Sequence, residues 1–324
     1  MIWVAWRLHR LQLITLLVLL VVGAVAVVLL RSAMLDDIAA LRIADCVTNT
    51  GRACQASEAV GDFRVEWLTP LNLGQGAILS LPAMIGVFIG APLFARELEQ
   101  GTHVLAFTQS VSRTRWMVGK LLVAAVPAVV VLIAAQQLVR WWLSAAGNLG
   151  PLVNGPFHVL NIGIENASPV GYALFAFALG TFLGVVSRRT LVAMTGGLAA
   201  FIVVRFALFD LPGHLVPVRH LETDAGGSLA ESQGVSLVID KGWLDAAGQR
   251  VPDDRVGALI QACKPTGTQD EFLACLPRSG LVEKYADFVP ESQAWQVHLV
   301  DAAVFGGLAV LLLVGTGWVL RRQS

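Results

Sequence analysis

The chain has 324 residues, of which 56% are hydrophobic and only 14% charged, and its mean hydropathy is +0.68. Soluble domains carry about a quarter charged residues, so this balance excludes a pair of ordinary soluble domains. The apolar residues are not spread as one core would need. They fall in blocks long enough to cross about 30 Å of hydrocarbon, which takes roughly 20 helical residues.

In chain order, Met1–Arg10 places Trp3, Trp6, Arg7 and Arg10 at helical spacing. It reads as an interfacial helix over residues 1–10, anchored by aromatic and cationic side chains. Leu11–Leu30 is the first span, with no polar side chain from Leu16 onward. It exceeds a signal-peptide core and no small-x-small site follows, so an uncleaved span is expected. Residues 31–75 then form an outer loop. Ile78–Phe94 is the second and shortest span, interrupted by Pro82, Gly86, Gly90 and Pro92. A kinked or broken helix is expected there, since neighbouring helices can re-satisfy its backbone. The same small residues also suit close helix packing. After the connection at 95–117 come Val118–Leu138, Pro169–Val186 and Leu191–Phe209, then a hydrophilic stretch at 210–296. Val297–Leu320 is the last span, in a closing segment 297–324. A β-barrel would show alternating segments instead of these solid runs.

Charge orients the spans. Arg7, Arg10, Arg96, Arg113, Arg115, Lys120, Arg188, Arg189, Arg321 and Arg322 fall on one side, against only Glu97 and Glu99. The opposite side holds twelve cations and twenty acids. Short loops rich in Arg and Lys stay in the cytoplasm, so both termini are expected inside. The four cysteines, Cys46, Cys54, Cys263 and Cys275, all fall in the two long outer segments, on the side where disulfides persist. Four cysteines allow three connectivities, of which sequence proximity favours Cys46–Cys54 with Cys263–Cys275.

Within 210–296, Val235–Asp240 reads as a strand and Asp245–Val251 as a turn into another. A helix is expected from Pro252–Asp253 through Cys263. A second opens at Thr268, with Glu271 at capping-box spacing. The expected architecture is an all-α polytopic membrane protein with six transmembrane helices and cytoplasmic termini. A small disulfide-stapled α+β extracytoplasmic domain lies between spans 5 and 6, and the 31–75 loop packs against it.

Chemistry-bearing motifs are missing. There is no Ser/His/Asp order, HExxH, EF-hand loop or CxxC pair, and no nucleophile with a base inside the spans. His214 and His220, near Asp210 and Glu222, fit no metal spacing and read as surface histidines. No phosphate loop exists: Gly119–Lys120 lacks both the first glycine and the following hydroxyl. Three ionisable residues, Arg140, Arg205 and Asp301, lie toward the outer ends of spans, where snorkelling or local pairing accounts for them. Ion-coupled carriers bury such groups near the midplane instead.

The connection after span 2 runs Arg96-Glu97-Leu98-Glu99-Gln100-Gly101-Thr102, then Ser110-Val111-Ser112-Arg113, Trp116 and Gly119-Lys120. This resembles the permease subunits of ABC-2 type ABC transporters, in which an acidic E-x-E-x-G-T turn leads into a short helix. Met1–Arg10 is similar to that family's elbow helix. Cys275-Leu276, Tyr285, Pro290 and Trp295-Gln296 resemble a bacterial subgroup with a cysteine-bearing outer domain before the last span. The family commonly carries Glu where Asp301 stands, a departure here. The resemblance implies that Arg96, Glu97, Glu99, Gly101 and Thr102 form a coupling element docking on a cytoplasmic ABC ATPase subunit. It implies two ATPase copies beneath two permeases, the second being another copy of this chain or a paralogue. Spans 2 and 5 would line the path, and the Gly/Pro breaks of span 2 would form its bending point. ATP and Mg would be held by the ATPase, with no cofactor bound by this chain and no nucleic acid partner. The chain itself would not be an enzyme. Location in a bacterial plasma membrane and export of a drug, lipid or peptide antibiotic follow as expectations, since the span centres are apolar. The alternative reading is a membrane-anchored sensor or regulator whose outer domain binds a ligand.

Overall fold

The computed structural model describes residues 2–55, 57–100, 113–164, 167–227, 235–263 and 268–322. They divide into two compact bodies. The first gathers Met1–Val153, Val159–Phe209 and His298–Ser324, and the second Asn154–His158 and Asp210–Val297.

The first body is helical: α1 (Ile2–Ala40), α2 (Ala44–Thr48), α3 (Arg52–Gln55), α4 (Glu58–Ile85), a π-helical turn (Gly86–Gly90), α5 (Pro92–Glu99), α6 (Arg113–Ser144), α7 (Ser168–Ser187) and α8 (Thr190–Ala207). The chain then passes through the second body and closes with α12 (Ala294–Arg322). Among the described residues, six stretches are long and apolar enough to span a membrane: Arg10–Ala40, Glu58–Glu99, Arg115–Ser144, Ser168–Ser187, Thr190–His214 and Glu291–Arg322. Their outward faces are apolar, with Leu191 75% and Phe206 73% exposed, a pattern that lipid solvates and water does not. The protein is a multi-pass membrane protein.

The sequence places a boundary at residue 10, where the apolar stretch begins within one continuous helix, and a loop at 31–75, much of which is helical. No glycine or proline falls between Ile2 and Val22, and α1 runs unbroken from Ile2 to Ala40. On the other side of the presumed loop, the second span starts at Glu58. Its 42 residues would extend about 63 Å at 1.5 Å per residue, twice the hydrocarbon thickness. The first half of α4 instead carries a buried stripe at helical spacing, Val60, Phe63, Trp67, Leu71, Gln75 and Ile78. That stripe packs with Met34, Ile38, Trp142, Leu143 and Ile164 into a separate core. Trp67 Nε1 donates to Asp37 Oδ2 at 2.9 Å, tying α4 to the end of α1. The Cys46–Cys54 disulfide closes the short connection between them. Segment 31–75 is thus part of the first body's helical framework.

The helix α7 is the centre of that body, with 67% of its apolar window buried. It is built of small residues that let other backbones approach. A Cβ on Gly86 or Gly90 would lie 2.7 Å from the Ala176 carbonyl oxygen or 2.5 Å from that of Phe177. One on Gly184 would lie 2.6 Å from the Ala91 oxygen. The π turn has a local cause: Pro92 has no N–H to continue the ladder, and Ala91 N reaches five residues back to Gly86 O at 2.9 Å. Close packing is therefore the observed use of these glycines.

The second body holds α9 (Leu211–His214), β1 (Arg219–Asp224), β2 (Leu237–Leu244), β3 (Arg250–Val251), α10 (Asp253–Ala262), α11 (Gln269–Arg278) and β4 (Glu283–Val289). The sheet is antiparallel in the order β1-β4-β2-β3, with a bulge between Val238 and Asp240. Asp245 Oδ1 accepts from Ala247 N and Gln249 N, each at 2.9 Å, which shapes the β2–β3 turn. Thr268 and Glu271 form the capping box that starts α11. Cys263–Cys275 joins the two helices, and their buried face packs with Ala225, Leu281, Trp243 and Val251. The edge strand β1 and the inner strand β4 were not anticipated.

Two measurements check this packing. Gly90→Ala in the detergent-solubilised chain is expected to cost about 1–3 kcal/mol of overpacking strain and to lower the thermal midpoint. Replacing Cys263 and Cys275 by serine is expected to cost the second body about 3 kcal/mol, read as faster amide exchange in α10 and α11.

Candidate functional site

The residues singled out by sequence at the end of span 2 sit on α5. Pro92 occupies its first turn, Leu93, Phe94 and Ala95 are buried, and Arg96 and Glu99 are exposed. Gly101, Thr102 and Ser110–Ser112 lie outside the described residues.

Three different chemistries hold α5. Its start, Ala91, meets the backbone of α7 at Gly180 and Gly184. Glu97 Oε1 then stands 2.5 Å from Lys120 Nζ of α6, with the two side chains 33% and 10% exposed. That ammonium also lies 4.9 Å from the Phe94 ring and 5.2 Å from the Trp116 ring, and the rings themselves are 5.5 Å apart. The carboxylate and the ring faces together hold the Lys120 side chain in place. Lastly, Glu99 Oε2 accepts from Thr190 N at 3.2 Å and from Thr190 Oγ1 at 2.8 Å. Thr190 is the first residue of α8, whose leading N–H groups have no helical partner, so Glu99 caps that helix from a distance. The connection before it turns sharply, with Arg188 in the left-handed region at φ 53.

Both acids expected to face a partner are thus engaged within the chain, and Arg96 and Glu99 are the exposed charges of the trio. Sequence reasoning noted Lys120 as one of the orienting cations and as part of a short motif, without its partner Glu97, and missed Thr190. A cation set two residues inside the third span, Val118–Leu138, was the available signal for Lys120. Nothing local to Thr190 marked it.

A second polar cluster joins α7, α8 and α12. Tyr172 OH donates to Asp301 Oδ2, and the Arg205 guanidinium sits 4.0 Å from the Tyr172 ring centroid. Ser168 Oγ lies 3.1 Å from His298 Nδ1, with both side chains buried. This brings a hydroxyl to an imidazole, the pairing that sequence reading did not find. Enclosed as it is, the pair ties α7 to α12 and offers no exposed nucleophile. Of the predicted ionisable residues, Arg205 and Asp301 meet at Tyr172, while Arg140 is exposed on α6. Among the described residues, no group of His, Cys, Asp or Glu is placed to hold a metal.

A helical bundle whose small-residue centre carries a clamped helix after span 2 invites comparison with transporter permeases. The family described as "ABC-2 membrane transporter related" matches residues 17–211. The chain belongs to this family. The matched residues run from within α1 through α8, so most of the second body and the last span lie beyond them. No curated protein and no solved structure matches the chain. As an ABC-2 permease, the chain is a membrane transport component, and membership implies association with an ATPase subunit.

The clamp can be tested by double substitution. Glu97→Gln leaves Lys120 buried without its carboxylate and is expected to cost about 2 kcal/mol, below the range for fully buried pairs because Glu97 is partly solvated. Adding Lys120→Met is expected to restore most of that loss, seen in thermal unfolding of the ABC-2 permease in detergent.

Proposed function

We propose that the chain is the membrane-spanning half of an ATP-driven exporter for a hydrophobic or amphipathic cargo. Two permeases and two ATPase subunits form the working unit, and ATP and Mg are held by the ATPase. Both termini and the 95–117 connection face the cytoplasm, as the charge asymmetry supports. The disulfide-bearing 210–296 domain lies outside the plasma membrane. The observation that carries this reading is the fixing of α5 to α6, α7 and α8 at once. An element gripped by three helices moves them when it is moved.

This assigns different tasks within the coupling element. Arg96, with the 101–112 segment that contains Gly101 and Thr102, meets the ATPase. Glu97 and Glu99 transmit its movement into the bundle. Pro82, Gly86, Gly90 and Pro92 form the point where span 2 bends against α7, along a path lined by spans 2 and 5.

The test is co-expression with the ATPase and reconstitution in liposomes. Arg96→Glu is expected to reduce co-purification of the ATPase severalfold. Glu97→Ala with Glu99→Ala is expected to leave the complex assembled while cargo-stimulated ATP hydrolysis falls at least tenfold. If the double variant kept both assembly and transport, the transmitting role would be wrong. If the wild-type chain bound no ATPase, the sensor reading would replace the permease reading.

A further inference from the structure

In the second body, β1 follows span 5 and β4 precedes span 6, and the two strands pair antiparallel. The register sets Arg219 opposite Phe288 and His220 opposite Asp287 at the end of the ladder nearest both connections. His220 Nδ1 lies 2.5 Å from Asp287 Oδ1, and Nε2 lies 2.9 Å from Glu222 Oε1. A neutral imidazole carries one N–H and would turn a bare nitrogen lone pair toward one carboxylate. Only the imidazolium donates to both.

The surrounding groups extend the network across all four strands. From β3, Arg250 Nη1 reaches Asp240 Oδ2 at 2.7 Å, and Nη2 reaches Asp287 Oδ2 at 3.3 Å. From β4, the Tyr285 ring stacks near His220, with centroids 6.0 Å apart, and its hydroxyl donates to Asp240 Oδ2 at 3.2 Å. The Arg250 guanidinium lies 4.6 Å from that ring. Alternation along β2 puts this network on the sheet face opposite Trp243, which packs with α10 and α11. The His220 side chain is 49% exposed, so bulk protons reach it.

We infer that His220 is a pH-sensitive clasp: protonated, it fastens β1 to β4, and deprotonated, it releases the edge strand that follows span 5. Asp287 first, and Glu222 second, hold the imidazole pKa above its ordinary 6.5. A raised folded value means the clasp is complete below about pH 6.5 and is lost as pH rises through the folded pKa. Tyr285 does not titrate in that window, since partial burial and Asp240 push its hydroxyl upward. The inference holds for whichever side of the membrane the domain faces, and it is independent of the transport reading.

The experiment is amide hydrogen exchange on the full chain in lipid nanodiscs from pH 6 to 8.5, corrected for intrinsic exchange. Protection of Arg219–Asp224 is expected to fall about threefold over this range, as suits a half-exposed charge pair, with α10 unchanged. His220→Gln is expected to abolish the pH dependence, and Glu222→Gln to reduce it. A flat wild-type profile, or an unchanged slope in His220→Gln, would overturn the clasp. Should His220→Gln disturb the sheet at every pH, the wild-type His220 resonance decides by NMR. A value above 6.5 supports the clasp, and one at or below 6.5 refutes it.

Discussion

The approach of the π turn to α7 is the contact on which the rest of the first body hangs. Gly86 and Gly90 lie so close to the carbonyls of Ala176 and Phe177 that a single methyl group has no room. Thr181 Oγ1 bridges the same surfaces, donating to Phe177 O at 2.7 Å and lying 3.4 Å from Gly90 O. In hydrocarbon there is no hydrophobic drive to bring helices together, so dispersion at short range has to supply the attachment. That demand explains why the most buried helix presents Ala176, Gly180 and Gly184 where the π turn and Ala91 approach it. It also explains why α5, beginning one residue later, emerges already seated against α7.

Around this seat, the polar contacts do what apolar packing in lipid cannot, which is to specify orientation. Glu97 with Lys120 and Glu99 with Thr190 fix the angle at which α5 leaves the bundle. Near the opposite ends of α7 and α12, Tyr172 with Asp301 and Ser168 with His298 fix how those helices meet. Each pair joins residues on two different helices.

How much of this was legible beforehand depended on the range of the signal. The spans announce themselves because hydropathy is local and additive, and Leu16–Leu30 needs no neighbour to be recognised. The capping box at Thr268 and Glu271 and the Asp245 turn were equally local. By contrast, the stripe from Val60 to Ile78 was missed because its apolar residues recur every three or four positions and never form a solid run. The strand Arg219–Asp224 is polar except for Leu221, and only pairing with β4 makes it a strand. The roles of Glu97 and Glu99 depended on Lys120 and on Thr190, 91 residues from Glu99. Position was readable there, and partner was not.

The π turn has a consequence in terms of phase. A turn closed five residues back instead of four amounts to one extra residue in the helix, which rotates everything after it by about 100°. Across the turn Ile85, Ile89, Leu93 and Phe94 still share one buried cluster, and α5 buries Leu93, Phe94 and Ala95 together. One rod thus addresses two sets of neighbours, the α1 and α6 ends along its first half and the α6, α7 and α8 ends along its second. Removing one residue between Gly86 and Gly90 would leave every span intact in length. It would also swing Glu97 and Glu99 off both partners in a single step.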